Sequence, residues 1–479
     1  MATAVPSAFS PWLIQGGMGI AISGWPLARA VSKAGQLGVV SGTAIDAVFV
    51  RRLQNDGVSA GLRAVLERFP VPSIVERVVA QFAHTRRSVA DKYQNLVMLT
   101  HRSSEQAHDL LVLASYAEVA LAKQGHDGKV GMNLLTKVQL PTAATLMGAI
   151  LAGVDYVVMG AGVPTHIPGT LAGLAAGEPV ETPLDIVGDE PSTRHLRFVP
   201  ERYLPSRALR APKFLGIVSS HVLATALARR SNGPVEGFVV ERPSAGGHNA
   251  PPRGAFSLDD RGEPLYGPRD EVDYDVMAGL ERPFWIGGAV TSAKDVVEAQ
   301  ELGATGVQVG TLFAYCEESG MEPMLRAGML REIAESGVSV STSLRASSTG
   351  YPFKVVDAPG TLGVPSIYEA RTRKCDLGYL REAYAKPDGT IGYRCAAEPV
   401  AAYVRKGGLA KATEGSLCLC NGLMATCGLG QVRSDGRHEP PVLTSGDAIN
   451  DVRELLAGRS SYSANDVIAY LSVESTSRN

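Results

Sequence analysis

The sequence has no excess of charge of either sign, since 46 Lys and Arg stand against 48 Asp and Glu and the net charge is −2. Without a basic excess, we expect neither nucleic acid nor an anionic membrane as the main partner. Long hydrophobic runs are also missing, because glycines interrupt the apolar segments well before the ~20 residues that a transmembrane helix needs. The first ten residues lack lysine, arginine and an apolar stretch, so we expect no secretory signal there.

Cysteine is scarce, with 6 residues among 479, so the sequence does not predict a disulfide framework, and we expect a cytoplasmic protein. A dinucleotide fingerprint is missing as well. The early glycine run Gly16–Gly19 has neither the GxGxxG spacing nor the acidic residue that such a fold uses. The balance of 45% hydrophobic and 20% charged residues is that of an ordinary globular protein.

What the sequence does have is a regular alternation of short apolar runs with Ala- and Leu-rich helical stretches. We predict eight strands at Trp12–Gly16, Gly38–Ser41, Lys129–Leu134, Tyr156–Gly160, Phe214–Ser219, Gly237–Glu241, Phe284–Gly287 and Gly306–Val309. Helical stretches include Pro26–Ala34, Ala143–Ala152, His221–Arg229 and Ser292–Leu302. Such alternation predicts a parallel sheet, and eight units favour an α/β fold of the (β/α)8 TIM-barrel class. A doubly wound open sheet is the competing architecture.

The pattern divides the chain into a barrel over residues 1–320 and a C-terminal extension over 321–479. Insertions are expected at about 46–128, 171–212 and 249–281, the first carrying an amphipathic helix Glu105–Lys123. In the extension, helices are predicted at Glu322–Glu335, Ser445–Leu456 and Ser463–Val473, with Ser463 as an N-cap. We expect the extension to pack on the barrel mouth.

A glycine pair and a histidine follow the sixth predicted strand, in the order Gly246-Gly247-His248. The carboxyl ends of barrel strands carry the chemistry of this fold. Glycines there let a flat ligand approach the backbone, and a histidine beyond them can exchange a proton near neutral pH. From this motif alone, a solvated histidine after a glycine turn is an equally good interpretation.

Two further glycine turns follow the seventh and eighth strands, at Gly287-Gly288 and at Gly310-Thr311. In TIM barrels the loops after these strands commonly bind phosphate, and Ser292 with Asp295 resembles the cap of the next helix. The turns therefore predict a ligand with a phosphate tail. Its reactive end would lie near Asn133, an amide that both donates and accepts, although a turn-forming Asn is the commoner interpretation.

Together these segments resemble the nitronate monooxygenase family, formerly called 2-nitropropane dioxygenases, which includes flavin-dependent enoyl reductases of polyketide and polyunsaturated fatty acid synthases. The resemblance covers about residues 10–315. It rests on Gln15–Gly19, Gly131–Leu134, Ala245–His248, Ile286–Gly288 and Gln308–Thr311, in that order. The loop Gly160–Pro168 and the segment Ser347–Phe353 resemble a longer-chain branch, closer to the synthase-associated reductases. The insertions and the long C-terminus depart from the compact nitronate enzymes.

The resemblance implies an FMN-binding barrel with His248 as the catalytic base or proton donor. The implied cofactor contacts are Gly17, Met18, Asn133, Gly160, Ser244, Gly246, Gly247, Gly287, Gly288, Gly310 and Thr311. The implied reaction is oxidation of a nitronate or nitroalkane with O2. The alternative is an NAD(P)H-dependent enoyl reductase that acts on an acyl carrier protein. A small-molecule substrate is expected in either case, and a homodimer is the expected assembly.

Three other interpretations are less favoured by the residues. A nucleotide dehydrogenase needs a loop cysteine before the phosphate strands, yet the first cysteine is Cys316. A flavin-binding module without catalysis would not need His248. Three histidines that follow strands, His166, His221 and His248, suggest a metal site, but the chain has no pair with metal-ligand spacing. We therefore predict no metal in the active site.

Five of the six cysteines lie in the extension, at Cys375, Cys395, Cys418, Cys420 and Cys427. Four thiolates can hold zinc or an iron–sulfur cluster. The spacing matches no usual pair of CxxC motifs, and buried cysteines often act as small hydrophobic residues. The sequence leaves the two interpretations open. Asn421 and Gln431 are further side chains of this segment that could reach the pocket.

Overall fold

The computed structural model describes residues 11–86, 88–188, 194–254 and 257–472. The first ten residues and Val473, the predicted end of the last helix, lie outside these ranges. The strands are β1 (Leu13–Gln15), β2 (Gly38–Ser41), β3 (Val130–Leu135), β4 (Tyr156–Gly160), β5 (Val180–Pro183), β6 (Ile186–Val187), β7 (His195–Phe198), β8 (Lys213–Val218), β9 (Gly237–Glu241), β10 (Phe284–Gly287), β11 (Gly306–Val309), β12 (Ser339–Ser343), β13 (Phe353–Asp357), β14 (Glu382–Ala385) and β15 (Ile391–Arg394).

The α-helices alternate with these strands in the barrel and dominate the first insertion. They are α1 (Trp25–Lys33), α2 (Ile45–Asp56), α3 (Ala60–Leu66), α4 (Pro72–Phe82), α5 (Glu105–Ala122), α6 (Thr142–Leu151), α7 (Ile167–Ala176), α8 (His221–Arg230), α9 (Tyr274–Ala278), α10 (Ala293–Glu301), α11 (Thr311–Ala314), α12 (Pro323–Glu335), α13 (Pro365–Ala370), α14 (Val400–Arg405), α15 (Leu419–Thr426), α16 (Val452–Leu456) and α17 (Ala464–Leu471). No helix of the described ranges combines the length and the apolar character needed to cross a bilayer.

Eight parallel strands form one sheet in the order β1-β11-β10-β9-β8-β4-β3-β2. Its two ends meet, because Ile14 on β1 pairs with Leu37 just before β2. The backbone N–H of Gln15 donates to the Leu37 carbonyl at 3.0 Å, and the Leu37 N–H donates to the Leu13 carbonyl at 3.1 Å. The sheet is therefore a closed barrel. The predicted (β/α)8 class is confirmed, and the open doubly wound alternative is wrong.

Alternation along each strand explains why the barrel is filled at one end and hollow at the other. Inward-facing Ile14, Val158, Val239 and Trp285 belong to a cluster that fills the interior. Because every second residue faces the same side of a strand, the next inward positions toward the carboxyl ends include Gly16, Gly160 and Gly287. Three positions without side chains leave open space above the packed layer.

The first insertion corrects one sequence prediction. Helix α5 is not amphipathic, because most of its residues from Asp109 to Ala122 are buried. It packs against barrel strands β2 and β3, against the neighbouring helices α1 and α6, and against α2, α3 and α4 of the same insertion. A helix covered on nearly all sides needs no polar stripe, so α5 serves as a layer of the core.

The extension lies both on the mouth and along the side of the barrel. Helix α17 packs against α1, α10 and α11, and its N-cap is the predicted Ser463, which forms a capping box with Asp466. The predicted helix Ser445–Leu456 is wrong in its first half, since an α-helix covers only Val452–Leu456. The preceding residues reach the barrel mouth instead, where they form part of the cavity described next.

Candidate functional site

A cavity of about 220 Å³ lies over the carboxyl ends of the barrel strands. All twelve site residues predicted from the sequence line it, namely Gly17, Met18, Asn133, Gly160, Ser244, Gly246, Gly247, His248, Gly287, Gly288, Gly310 and Thr311. The sequence thus predicts which residues come together, although they lie on separate segments of the chain. The individual roles of these residues stay predictions.

One wall of the cavity depends on a glycine that packs against an amide side chain. A Cβ atom at Gly17 would lie 2.1 Å from the Cβ of Asn133, so no larger residue fits there without movement. The Nδ2 of Asn133 donates to the Val158 carbonyl at 3.2 Å, which fixes the side-chain plane. The amide is thereby held in place beside the cavity before any ligand arrives.

The turn after β10 has a backbone shape that suits an anion. Gly288 and Ala289 both have positive φ, at 101° and 52°. Across the described residues, no acceptor takes the N–H groups of Gly288, Ala289 or Gly310. Successive N–H groups in a turn of this kind form a concave anion site. No lysine or arginine is among the described residues that line the cavity, so an anion here would be held by neutral donors.

The start of helix α10 is already satisfied by its own side chains. Ser292 and Asp295 form a capping box, as the sequence predicts. The Asp295 carboxylate also accepts from the N–H of Thr291 at 2.8 Å. Because this carboxylate occupies the helix N-terminus, an incoming phosphate has its donors at the Gly288–Ala289 turn and not at α10 itself.

The extension builds the opposite wall through a loop that the sequence pattern predicts as a helix. The N–H of Gly247 donates to Thr444 Oγ1 at 2.8 Å, and the N–H of Gly446 donates to Thr311 Oγ1 at 3.0 Å. A Cβ at Gly246 would lie 2.8 Å from the carbonyl carbon of Ser445. The glycine pair before the histidine is therefore needed for contact with the extension.

An ion pair holds this loop in place. Lys354 Nζ lies 2.5 Å from Asp447 Oδ1, and the lysine is almost fully buried while the aspartate is half exposed. The N–H of Asp447 also donates to the Ser244 carbonyl at 3.0 Å. The pair links β13 to the loop at residues 444–448, so two distant parts of the extension close the cavity together.

His248 lies at the junction of the barrel and the extension. Its Nε2 lies 2.7 Å from Ser347 Oγ, and Ser347 Oγ lies 2.8 Å from Thr349 Oγ1. The ring of Phe353 packs edge-on against the imidazole at 4.8 Å between centroids. Burial among these groups lowers the pKa of His248 to about 4. The imidazole is therefore neutral at pH 7.

Four other residues considered from the sequence do not line the cavity. His221 Nδ1 accepts from the N–H of Asp273 at 3.0 Å, and His166 is the N-cap residue of helix α7. Asn421 donates to the carbonyl of Lys374, and Gln431 binds the backbone of Tyr93. Within the described part of the chain, no three histidine, cysteine or carboxylate side chains form a group that could hold a metal.

The cysteine cluster is close in space as well as in sequence. Cys375, Cys395, Cys418 and Cys420 border a second small cavity of about 10 Å³, which Ser348 also lines. Burial raises the pKa of the Cys375 thiol to about 12 and that of Cys418 to about 11. These thiols are protonated at neutral pH, and in the described residues all six cysteines are unpaired.

Sequence reasoning missed several polar side chains that line the cavity, and two of them lie on barrel strands. Glu241 ends β9 and Gln308 lies on β11, and both border the cavity. The signal was present, because Glu241 is two residues after the interior Val239 and therefore faces the same side. The apolar run identifies the strand, and the charged residue at its end is the one that borders the cavity.

Comparison with known proteins gives one weak sequence match. No protein-family model matches the chain. A probable nitronate monooxygenase of Staphylococcus haemolyticus is 32% identical over 93 residues, which are 19% of this chain and 25% of that protein. The match thus spans about a quarter of the length of the relative. Its name is that of the family which the sequence motifs resemble.

Three solved structures align over nearly the whole chain at low similarity. FabK from Thermotoga maritima is 16% identical, with a TM-score of 0.44, and the alignment covers 96% of this chain and 91% of FabK. Nitroalkane oxidase from Streptomyces ansochromogenes is 13% identical, at 0.46, with 97% and 95% covered. The enoyl reductase domain of MlnA from Bacillus amyloliquefaciens is 10% identical, at 0.46, with 96% and 95% covered.

Proposed function

We propose that this protein is an FMN-dependent oxidoreductase that oxidises nitronates with O2. The observation that carries the proposal is a cavity in which an anion-binding turn and a buried neutral His248 lie together. The weak match to a probable nitronate monooxygenase supports the same assignment. The six unpaired cysteines support a reducing, cytoplasmic location.

The residues of the cavity fit a flavin phosphate and ring. The N–H groups of Gly288, Ala289 and Gly310 would hold the phosphate, together with the Thr311 hydroxyl, which still has its proton to donate. A Cβ at Gly288 would lie 3.0 Å from Ser244 Oγ, so a glycine is needed for this turn to pack against the segment after β9. Bound FMN would supply the electron transfer, while the protein supplies binding and orientation.

The neutral state of His248 favours a substrate that arrives already as an anion. With a pKa of about 4, the imidazole is a weak base for removing a carbon-bound proton from a neutral nitroalkane. A nitronate needs no such step, since its proton is already lost. His248 would then orient the nitronate oxygens. The negative charge of the bound nitronate would favour the protonated form of the imidazole. In the net reaction, two nitronates and one O2 give two carbonyl compounds and two nitrite ions.

The substrate end of the cavity is apolar. The side chains of Ile22, Met321, Leu423, Val442 and Leu443 line it, and all of these except Ile22 belong to the extension. Burial of alkyl carbons against such a wall contributes roughly 0.8 kcal/mol for each methylene. We therefore expect nitronates with longer alkyl chains to bind more tightly than propane nitronate.

The proposal is tested by measuring oxygen uptake and nitrite release with propane and hexane nitronates. We expect two nitrite ions for each O2, no requirement for nicotinamide and a lower KM for the longer chain. The His248→Ala variant should retain its flavin and lose most of the turnover. Turnover of neutral nitroalkane at the same rate as nitronate would contradict the role given to the neutral histidine.

The apolar wall also supports a second candidate, the NAD(P)H-dependent reduction of an enoyl thioester carried by an acyl carrier protein. An enoyl chain would use the side chains of Leu423, Val442 and Leu443 in the same way as a long nitronate. NADPH oxidation that depends on an enoyl thioester, without oxygen uptake from nitronate, would favour this candidate. The converse result favours the nitronate reaction.

A further inference from the structure

Two hydroxyl groups lead away from His248 on the side opposite the cavity. His248 borders the cavity, whereas Ser347 and Thr349 are not among the described residues that line it. The Nε2 of His248 lies 2.7 Å from Ser347 Oγ, and that oxygen lies 2.8 Å from Thr349 Oγ1. Ser347 is buried, Thr349 is half-buried and the next residue, Gly350, is exposed. The two hydroxyl groups therefore connect the imidazole with the outer surface of the extension.

Main-chain pairing holds this segment against the histidine. His248 forms an isolated antiparallel bridge with Phe353, and the N–H of Lys354 donates to the Gly247 carbonyl at 2.9 Å. The position of the segment relative to the imidazole is thus fixed by backbone hydrogen bonds. The hydroxyl group of Ser347 is held beside the ring before any ligand arrives.

Each hydroxyl oxygen also accepts a hydrogen bond from a backbone N–H group. The N–H of Thr349 donates to Ser347 Oγ at 3.3 Å, and the N–H of Tyr351 donates to Thr349 Oγ1 at 3.4 Å. A hydroxyl group has one proton and accepts at two positions. Because the backbone takes one acceptor position on each oxygen, each hydroxyl proton is left to point toward His248 or toward the surface. Such a chain can pass a proton in either direction.

The second nitrogen of the imidazole is left for a ligand. Within the described ranges, no residue forms a hydrogen bond with the Nδ1 of His248. A neutral ring that carries its proton on Nδ1 donates there to a ligand, while Nε2 accepts from Ser347. A bound anion favours the imidazolium form, which needs a second proton at Nε2. Since the bound substrate covers the cavity side of the ring, this proton has to come from the other side.

We propose that Ser347 and Thr349 form a proton relay, which carries a proton from solvent to His248 when the anionic substrate binds and returns it after the products leave. The inference deepens the proposed function and rests on it. During uptake, an acid in the solvent protonates Thr349 Oγ1, the Thr349 hydroxyl proton passes to Ser347 Oγ, and the Ser347 proton passes to Nε2. Each oxygen gains one proton and loses one, so no group is oxidised or reduced. The reverse steps restore the neutral imidazole.

The other titratable groups near the imidazole do not provide such a route. On β13, Lys354 follows the Phe353 ring and pairs with Asp447 at 2.5 Å. Glu241 lines the same cavity as His248, and burial raises the pKa of its carboxyl group to about 8. In the described part of the chain, neither Lys354 nor Glu241 forms a side-chain hydrogen bond with His248. The hydroxyl pair is therefore the hydrogen-bonded path from the ring to the surface.

The test is the turnover of propane nitronate by the flavin-loaded protein in H2O and in D2O, in dilute buffer at pH 7. Thr349→Val removes the outer hydroxyl group without touching His248, so we expect kcat to fall about tenfold and KM not to rise, because proton delivery becomes the slow step. The solvent isotope effect on kcat should be larger than that of wild type. Thr349→Ser keeps the hydroxyl group and should turn over within about twofold of wild type. Ser348→Ala is the matched control, since its hydroxyl group donates to the Leu380 carbonyl.

Different results identify the two possible failures. If wild-type protein does not turn over nitronate, the proposed function itself fails. If wild type is active but Thr349→Val keeps its kcat, or loses it without a larger solvent isotope effect, the nitronate reaction stands and the relay is overturned. Equal losses in Thr349→Val and Ser348→Ala also overturn it. Should Thr349→Val not fold, as judged by circular dichroism, Thr349→Ala removes the same hydroxyl group and is measured in the same way.

Discussion

The Oγ of Ser347 lies 2.7 Å from the Nε2 of His248, although 99 residues separate them in the chain. The histidine follows a barrel strand, and the serine belongs to the extension. We assign catalysis to this histidine. Its side chain is thus oriented by the extension, which lies outside the barrel. The two parts of the chain are joined at the atoms where the proposed chemistry takes place.

This contact predicts the effect of removing one hydroxyl group. Ser347→Ala leaves His248 Nε2 without its partner, and we expect kcat/KM for nitronate to fall about tenfold, the value of one hydrogen bond. Flavin content should not change. Ser348→Ala is the matched control, because Ser348 Oγ donates to the Leu380 carbonyl and not to His248. Equal losses in both variants would indicate a general disturbance of the segment.

The buried histidine also predicts how stability changes with pH. The folded-state pKa of about 4 lies below the ordinary value of 6.5, so the unfolded chain binds more protons between these values. Stability should therefore be complete above pH 6.5 and decrease as the pH falls toward 4, by up to about 3 kcal/mol from this group. Urea unfolding of wild type and His248→Gln at several pH values measures the difference. A slope that is the same in both proteins would contradict the assignment.

The anion-binding turn predicts a strong effect of one methyl group. Gly288 has a φ of 101°, and a Cβ there would lie 3.0 Å from both Arg242 Cβ and Ser244 Oγ. Gly288→Ala should therefore weaken FMN binding by at least about tenfold, since strain of roughly 1–3 kcal/mol is typical of such positions. Gly328→Ala is the control, because its Cβ meets no atom within 4 Å. Fluorescence titration with FMN compares the two variants.

The ion pair between Lys354 and Asp447 predicts that the loop at residues 444–448 can be loosened without touching the barrel. Asp447→Ala leaves a buried ammonium group unpaired, so we expect a loss of about 1–3 kcal/mol in unfolding free energy and weaker FMN binding. Lys354→Met combined with Asp447→Ala should recover part of the stability. If the double variant is no more stable than Asp447→Ala, the unpaired charge is not the cause.

The barrel strands could be predicted because each one is marked by its own residues and by those next to it in the sequence. Five of the eight barrel strands, for example Tyr156–Gly160, have the bounds expected from the sequence, and the other three differ by one residue at each end. Each is a short β-branched run bounded by glycine or a small residue, which needs no knowledge of the partner. The same local signal placed the glycines and His248 at the carboxyl ends of the strands.

The wrong predictions concern segments whose structure depends on contacts with distant parts of the chain, and a local sequence pattern does not show such contacts. Gly446 donates to Thr311 and Ser445 bonds to Tyr315, which lie 135 and 130 residues earlier in the chain. These contacts hold the segment as a loop where its own sequence predicts a helix. Helix α5 loses its polar face because three helices of the same insertion cover it. Glu241 was overlooked although its alternation with Val239 places it on the interior side of β9, because the apolar run identifies a strand without showing which residues border a cavity.

The most direct test of the account is anaerobic mixing of the purified protein with propane nitronate while the visible flavin band is recorded. The account predicts that the protein carries FMN and that nitronate bleaches the band without nicotinamide. Bleaching by NADPH alone would support the enoyl reductase candidate instead. A protein that carries no flavin and takes none up would contradict the account, and with it the roles given to Gly288, Thr311 and His248.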